Sequence, residues 1–181
     1  KMLNWVCRWF RDSRAATAVE FALVAVPFTY LLIGIIEMSI MFAASANLAY
    51  ATNEASRIIR TGQAQQAVGD PEDMFAARLC DGVKILLDCS RLQYEVIAMN
   101  DFSDFPTYTT QYDDEGNLVT QGFDPGGSSD VVLIRVGYRY PFMVPIIGNL
   151  LSDGHGMSRL LLSTVVMQNE PYDIMEEAGN I

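Results

Sequence analysis

The sequence is poor in the residues that most enzymes use for catalysis. It has one histidine, His155, in the turn-like stretch DGHG, and three cysteines. No serine or cysteine nucleophile has a second histidine to activate it, and no glycine-rich phosphate loop lies between a strand and a helix. Two neighbouring cysteines and one distant histidine do not make a zinc pattern. We therefore predict no catalytic residue, no metal, no cofactor and no small-molecule substrate.

Basic residues are scarce beyond the N-terminus. Lys1, Arg8, Arg11 and Arg14 supply four of the twelve basic residues, and from Asn47 onward the chain has 8 basic and 19 acidic residues. Nucleic-acid binding requires clustered Lys or Arg, so we predict no nucleic-acid partner. A basic N-terminus ahead of an acidic remainder is typical of a chain whose front end stays in the cytoplasm.

A long apolar run follows the basic residues. Phe21–Ile36 carries no charge for sixteen residues, and beyond Glu37 the apolar character resumes as MSIMFAASANLAYA. A helix needs about 20 residues to cross a bilayer, so Phe21–Ala43 suffices. The positive-inside rule puts residues 1–14 in the cytoplasm and those after about 45 outside. The sequence therefore predicts one membrane-spanning helix in contact with lipid.

Two other interpretations of the apolar run remain open. A secretory signal peptide would be cleaved at Ala44–Ala46 and leave Asn47 as the first residue, although Pro27 and Glu37 interrupt its apolar region. A buried core helix is the second alternative, although the basic flank and the tryptophan-rich stretch WVCRWF are typical of a membrane interface.

Cys80 and Cys89 fall in the part of the chain predicted to lie outside, where an oxidising compartment permits a disulfide. On one continuous helix their spacing corresponds to about 13.5 Å of rise, whereas bonded cysteines have Cα atoms within about 7 Å. A bridge therefore requires the helix that carries Cys80 to end near Gly82 or by Asp88. Two unpaired buried thiols are the alternative.

Two helices are predicted. The first extends from Phe21 to about Thr61, with Gly62 as its C-cap. The second begins after Asp70, an N-cap residue followed by proline and two acidic residues. Its apolar face is Phe75, Leu79, Val83 and Leu86.

Three strands are predicted at residues 91–99, 131–140 and 158–168. The near-continuous apolar character of the third indicates burial on both faces. Residues 100–130 form a polar, acidic, glycine-rich loop, with calcium binding as the alternative to an ordinary solvated surface. The predicted fold class is α+β, pilin-like, with a long N-terminal helix, a short second helix and a small antiparallel sheet of three to four strands.

The order of these segments resembles one known family. A basic leader, AATAVEFALVAVPF, GIIE in the apolar helix, NEASRIIRTG in its alanine-rich continuation, and a late apolar strand running into NEPY resemble the TadE-like proteins. These are minor pilins, or pseudopilins, of the tight-adherence (Flp-type) pilus system. The resemblance covers Arg11–Gly62 well and Val131–Tyr172 more loosely.

The resemblance implies a single-pass protein of the bacterial inner membrane, with a cytoplasmic leader (1–15), an anchoring helix with its extension (16–62) and a periplasmic α+β domain (63–181). It would act as a structural or assembly subunit, without enzymatic activity, by binding other pilin-like or integral membrane subunits through its helix. An uncleaved accessory subunit of another membrane complex is the alternative.

The resemblance also assigns a role to Glu20. The family's peptidase site falls between Ala15 and Ala16, where the family usually has glycine before the cut, and Glu20 becomes the fifth mature residue. Its carboxylate would pair with the α-amino group of a neighbouring subunit in the assembled state. The alternative is an interfacial carboxylate that is solvated or paired with Arg14 or Arg11.

Phe21 and Glu37 complete the predicted intramembrane and interfacial contacts. Because an ionisable group at the depth of Glu37 is costly in a bilayer, we predict that it has a functional role. Its hydrogen-bond partner would be Ser39, Ser45 or a donor on another helix. In the alternative, the bilayer ends at Ile36 and Glu37 is hydrated. The stretch PFMVPII (141–147) either rests on the outer leaflet or a partner, or fills the gap between sheet and helix.

Overall fold

The computed structural model describes residues 13–154 and 156–172, with side chains from residue 17 onward. The basic leader up to residue 12, with Cys7 and the tryptophan-rich stretch, and His155 therefore lie outside the described residues. The chain divides into two compact units, Lys1–Ile40 and Met41–Ile181, which we call the apolar segment and the body. The predicted functional division at residues 15 and 62 stays a prediction.

The elements in chain order are α1 (Ser13–Arg60), α2 (Gln63–Gln66), α3 (Pro71–Val83), β1 (Leu92–Met99), β2 (Val131–Pro141), α4 (Pro145–Leu151) and β3 (Ser158–Gln168). Short 3-10 turns occupy Cys89–Arg91 and Phe102–Thr107. The strands form one antiparallel sheet in the order β1-β2-β3. The predicted α+β class is confirmed.

In the body, α1 packs on one face of the sheet. The buried apolar side chains of this part of α1 recur every three or four residues, which places them in one stripe along the helix. They are Met41, Ala44, Leu48, Ala51, Ala55 and Ile59. The same core contains the even-numbered side chains of β2, from Val132 to Tyr140. Three of the six are alanines, and at Ala51 the small side chain lets α3 approach α1 closely.

The predicted end of α1 is confirmed. The helix ends at Arg60, and Gly62 adopts φ 72°, a left-handed conformation that glycine tolerates best. Its N–H donates to the Ile59 carbonyl at 3.0 Å, which satisfies one of the last helical acceptors.

Helix α3 begins as predicted, and its predicted apolar face is confirmed except at Leu86. The Asp70 carboxylate caps it by accepting from the Glu72 N–H at 2.9 Å, and Phe75, Leu79 and Val83 are all buried. The prediction that Leu86 continues this face is wrong, since Leu86 is 47% exposed. The helix ends at Val83, so the chain turns and buries Leu87 instead.

The early end of α3 allows the disulfide. Cys80 and Cys89 are bonded, with Cα atoms 5.3 Å apart. Asp88 starts the following 3-10 turn by accepting from the Ser90 N–H at 3.0 Å, and hydrogen bonds from Ser90 lower the pKa of the Asp88 carboxyl. The predicted bridge and the predicted reversal of the chain are both confirmed.

The prediction that the third strand is buried on both faces is wrong. β3 is an edge strand, and Leu162 is 39% exposed. The strand buried on both faces is β2, in which every residue from Val131 to Tyr138 is buried. An apolar sequence allows a strand to be buried on both faces. Whether the strand is buried depends on whether it lies at the centre or at the edge of the sheet.

Gly82 lies where α3 crosses α1. A Cβ atom at Gly82 would lie 2.6 Å from the Cβ of Ala51 and 3.1 Å from its Cα, and Asn47 donates to the Gly82 carbonyl at 3.0 Å. In an unpacked helix Gly→Ala stabilises by roughly 0.5–1 kcal/mol. Here we expect Gly82→Ala to destabilise the body by about 1–3 kcal/mol through overpacking. Chemical denaturation of the full chain in detergent, followed by circular dichroism, measures this change.

The matched partner change is Ala51→Gly. The double variant Gly82→Ala/Ala51→Gly should be more stable than the sum of the two single changes predicts, because the nearest clashing atom is gone. A Gly82→Ala variant that is more stable than wild type would show that the two helices do not cross this closely.

Candidate functional site

The candidate functional site is the exposed surface of the apolar segment. Within the part of the chain that the structure describes, one helix is long and apolar enough to cross a membrane, and only 6% of its apolar window is buried. Phe21 is 74% exposed, and Leu23, Val24 and Phe28 are exposed as well. Contiguous apolar surface of this extent is rare on soluble monomers, so it requires lipid or other apolar helices around it.

Two carboxylates bracket this surface. Glu20 is exposed, and Glu37 is 5% exposed. Their seventeen-residue separation corresponds to about 25 Å of helix, close to the roughly 30 Å thickness of the hydrocarbon core. The structure therefore keeps the two carboxylates apart, one near each end of the apolar run, with Phe21 beside the first.

Two hydroxyl groups of the segment donate within the helix. Thr29 donates to the Ala25 carbonyl at 2.8 Å, and Ser39 donates to the Ile35 carbonyl at 2.7 Å. Such bonds make a hydroxyl compatible with lipid, because the bilayer core offers no water as a partner. Ser39, one of the donors predicted for Glu37, thus uses its hydrogen within its own helix.

The predicted processing site lies at the start of α1. The helix begins at Ser13, so the backbone of Ala15 and Ala16 is helical. The side chains of Arg11 and Arg14, the predicted intrachain partners of Glu20, lie outside the described residues. Cleavage between Ala15 and Ala16 and the pairing of Glu20 both stay predictions.

A buried ion pair lies on the other face of the sheet. Glu95 and Arg135 are directly opposite each other in the register of β1 and β2, and their side chains meet at 2.7 Å with 0% and 3% exposure. The strand pattern predicts both side chains on a polar face. The structure buries them because the segment between β1 and β2 folds over that face.

The arginines of β2 hold this segment by its backbone. Arg135 also donates to the Tyr108 carbonyl, and the Glu95 carboxylate accepts from the Gln121 N–H at 3.0 Å. Arg139 donates to the Asn117 side chain at 2.9 Å and to the Gly116 carbonyl. The segment is therefore an ordered cover of the sheet. Two arginines four residues apart on one face of a strand, with an acidic residue on the neighbouring strand, are the sequence signal for it.

Packing completes the cover. Leu118 is buried against the sheet, and a Cβ atom at Gly137 would come within 3.1 Å of its Cβ. The Asn117 side chain donates to the Asp113 carboxylate at 2.9 Å, which lowers the pKa of that carboxyl. The prediction of a merely solvated loop is wrong for this part of residues 100–130.

On the helix side, burial together with a hydrogen bond to the Glu72 carboxylate raises the pKa of Tyr94 to about 12. The phenol therefore stays neutral and donates to Glu72, which ties β1 to the first turn of α3. The groups with shifted pKa values, Asp88, Tyr94 and Asp113, thus make hydrogen bonds that stabilise the body.

Over the described residues, these features are those of a chain with one helix long and apolar enough to cross a membrane, followed by a small α+β body. Residues 15–57 match the family described as TadE-like protein. Over these residues the N-terminal helix is similar to the TadE-like family, and the predicted resemblance is confirmed there. Residues 131–172, where the resemblance is looser, lie outside the match. Comparisons with curated proteins and with solved structures find no match.

We expect Arg135→Met to destabilise the body by about 3–5 kcal/mol, because it leaves the Glu95 carboxylate buried without its counter-charge. Replacing both residues, as Glu95→Leu/Arg135→Met, should cost less than Arg135→Met alone. Chemical denaturation measures both effects, and limited proteolysis should show faster cleavage within residues 100–130.

The control removes an exposed ion pair. Lys84→Met breaks the contact with Asp81, which spans 2.9 Å between side chains more than half exposed, and should leave stability close to wild type. If Arg135→Met behaves like this control, the buried pair does not hold the covering segment.

Proposed function

We propose that this protein is a structural subunit of tight-adherence pilus biogenesis that acts without catalysis. Its apolar segment would anchor it in the bacterial inner membrane, with the basic leader in the cytoplasm and the body on the periplasmic side. The observation that carries the proposal is that the TadE-like match, residues 15–57, coincides with the helix whose first part is exposed and apolar.

The apolar segment would contact lipid and the helices of other pilin-type subunits. Lipid tails are as apolar as leucine, so the hydrophobic effect alone does not select one helix partner over another. Polar groups in or near the bilayer can select a partner, because leaving them unpaired there is costly. Glu20 is the exposed polar group best placed for this role, at the end of the run nearest the basic leader.

The carboxylate of Glu20 would pair with a cationic group of a neighbouring subunit, such as a mature N-terminal amine. A desolvated charge pair is favourable only when both partners are present, so it forms in the assembled state and not in the free subunit. The exposed position of Glu20 on the helix supports this proposal, since a neighbouring chain can reach it.

The test uses a strain that lacks the gene and is complemented with variants. We expect deletion to abolish surface pili and the wild-type gene to restore them. Glu20→Gln should fail to restore them at a normal membrane level, because the amide keeps the size of the side chain and removes its charge. Electron microscopy of the cell surface and immunoblotting of membranes measure the two quantities.

The control is Glu115→Gln, which removes a carboxylate from an exposed position of the body and should restore pili fully. Sequencing the N-terminus of the membrane-bound protein decides among Ala16, Asn47 and an unprocessed start. A soluble protein that begins at Asn47 would contradict the proposal. Normal piliation after deletion, with co-purification of a stoichiometric membrane enzyme, would favour the accessory-subunit alternative.

Glu37 would act through a hydrogen bond. It is shielded from solvent in the described chain, and buried carboxylates need a hydrogen-bond partner. We expect Glu37→Gln to preserve pilus assembly, because the amide can still form hydrogen bonds, and Glu37→Leu to abolish it. Wild-type behaviour of both variants would contradict a role for this side chain.

A further inference from the structure

Helix α4 presents an apolar surface that the body does not bury. Ile146 is 59% exposed and Leu150 is 80% exposed, and just before the helix Met143 is 86% exposed. We call these three side chains the α4 patch. The stretch from Pro141 to Ser152 contains no charged residue, although the chain carries 34 charged residues among 181, 12 basic and 22 acidic.

The inner side of α4 fixes which way the patch faces. Gly148 is buried, and a Cβ atom there would lie 3.1 Å from the Cβ of Phe142 and 3.2 Å from that of Met157. At about 100° per residue, Ile146 and Leu150 lie about 160° around the helix from Gly148. The side of α4 that carries Gly148 therefore packs against the body, and the side chains of Ile146 and Leu150 point away from it.

The strands determine the end of the body at which α4 lies. The Glu170 N–H donates to the Arg60 carbonyl at 2.8 Å, so the end of β3 and the start of β2 are beside the C-terminus of α1. β2 then extends about 35 Å away from that point, and α4 follows it. The part of α1 in the body is about 30 Å long, so its first residue, Met41, is at the same end as α4.

We propose that the α4 patch rests in the interface of the bilayer that the apolar segment crosses, with lipid as its occupant. This inference rests on the proposed membrane anchor. Met41 follows directly on Ile40, the last residue of the apolar segment, so the patch is at the end of the body where the anchor begins. An interfacial helix of this kind buries its apolar face about 5–10 Å into the headgroup and acyl boundary.

The charges around the patch agree with lipid as the occupant. The nearest acidic residue in the chain, Asp153, is paired with Arg139 at 3.1 Å, so an apolar surface enters the interface without an uncompensated carboxylate. A protein that binds an acidic body would use its own basic residues to pair with the carboxylates of that body. Pro141–Ser152 contains no carboxylate with which such residues could pair.

The experiment places one tryptophan at a time in the full chain. Trp5→Phe/Trp9→Phe removes both native tryptophans, and Leu150→Trp, Phe28→Trp or Val68→Trp then supplies the reporter. Phe28 reports on the apolar segment. Val68 is a fully exposed residue near the opposite end of the body, just after Gly62 and α2, and is the matched control. Each protein is reconstituted into vesicles of phosphatidylethanolamine and phosphatidylglycerol, with and without acyl chains that are brominated both near the headgroups and near the chain ends.

We expect the tryptophan at position 150 to be blue-shifted and to lose intensity in brominated vesicles, approaching the loss seen at position 28. The tryptophan at position 68 should be unaffected. Circular dichroism and an intact disulfide confirm that each variant is folded. Leu150→Trp carries its reporter at an exposed position, so the fold should tolerate it.

Three results would overturn the inference, and they differ from one another. Quenching at position 28 but not at 150 leaves the anchor intact and shows that the α4 patch faces water. A blue shift at 150 without quenching, together with a doubled mass of the particle, shows that the patch binds a second copy of the chain. No quenching at position 28 shows that the apolar segment is not in the bilayer, and the proposed function fails with it.

Discussion

The contact between the buried stripe of α1 and the even-numbered face of β2 determines the arrangement of the body. It places the end of α1 beside the end of β3, where the Arg60 carbonyl accepts from Glu170, and it leaves α4 at the other end. The same helix continues without interruption into the apolar segment. Since one stripe faces a protein core and most side chains of the preceding turns are exposed, a single secondary-structure element meets two different environments along its length.

On the opposite face of the sheet, a buried ion pair as well as apolar packing holds the covering segment in place. The Glu95–Arg135 pair has 0% and 3% exposure, and such a pair is stable only when further hydrogen bonds satisfy its remaining donors and acceptors. The covering segment supplies these bonds from its own backbone, at Tyr108 and Gln121. A long acidic segment is thus ordered without a regular strand, because its polar backbone groups are used by the sheet beneath it.

The features that the sequence predicts correctly depend on neighbours along the chain. Asp70 caps a helix because of the residues that follow it, and the disulfide between Cys80 and Cys89 requires only a turn between them. The features it misses depend on partners far away. Leu86, the edge position of β3 and the burial of Glu95 were each decided by tertiary packing, which overrides local pattern. At the candidate site, the exposed apolar surface is predictable, whereas the shielding of Glu37 is not.

The distribution of charge connects the two parts of the chain. The body is strongly acidic, and acidic groups next to anionic headgroups repel them within about 8–10 Å at physiological ionic strength. A body that follows directly on a membrane anchor must therefore turn an uncharged surface toward the bilayer or stand away from it. Pro141–Ser152 is such a surface, and Ile146 and Leu150 add apolar area that gains free energy only when water leaves it. The anchor and the patch would then act in the same direction, because each favours a body held close to the membrane surface.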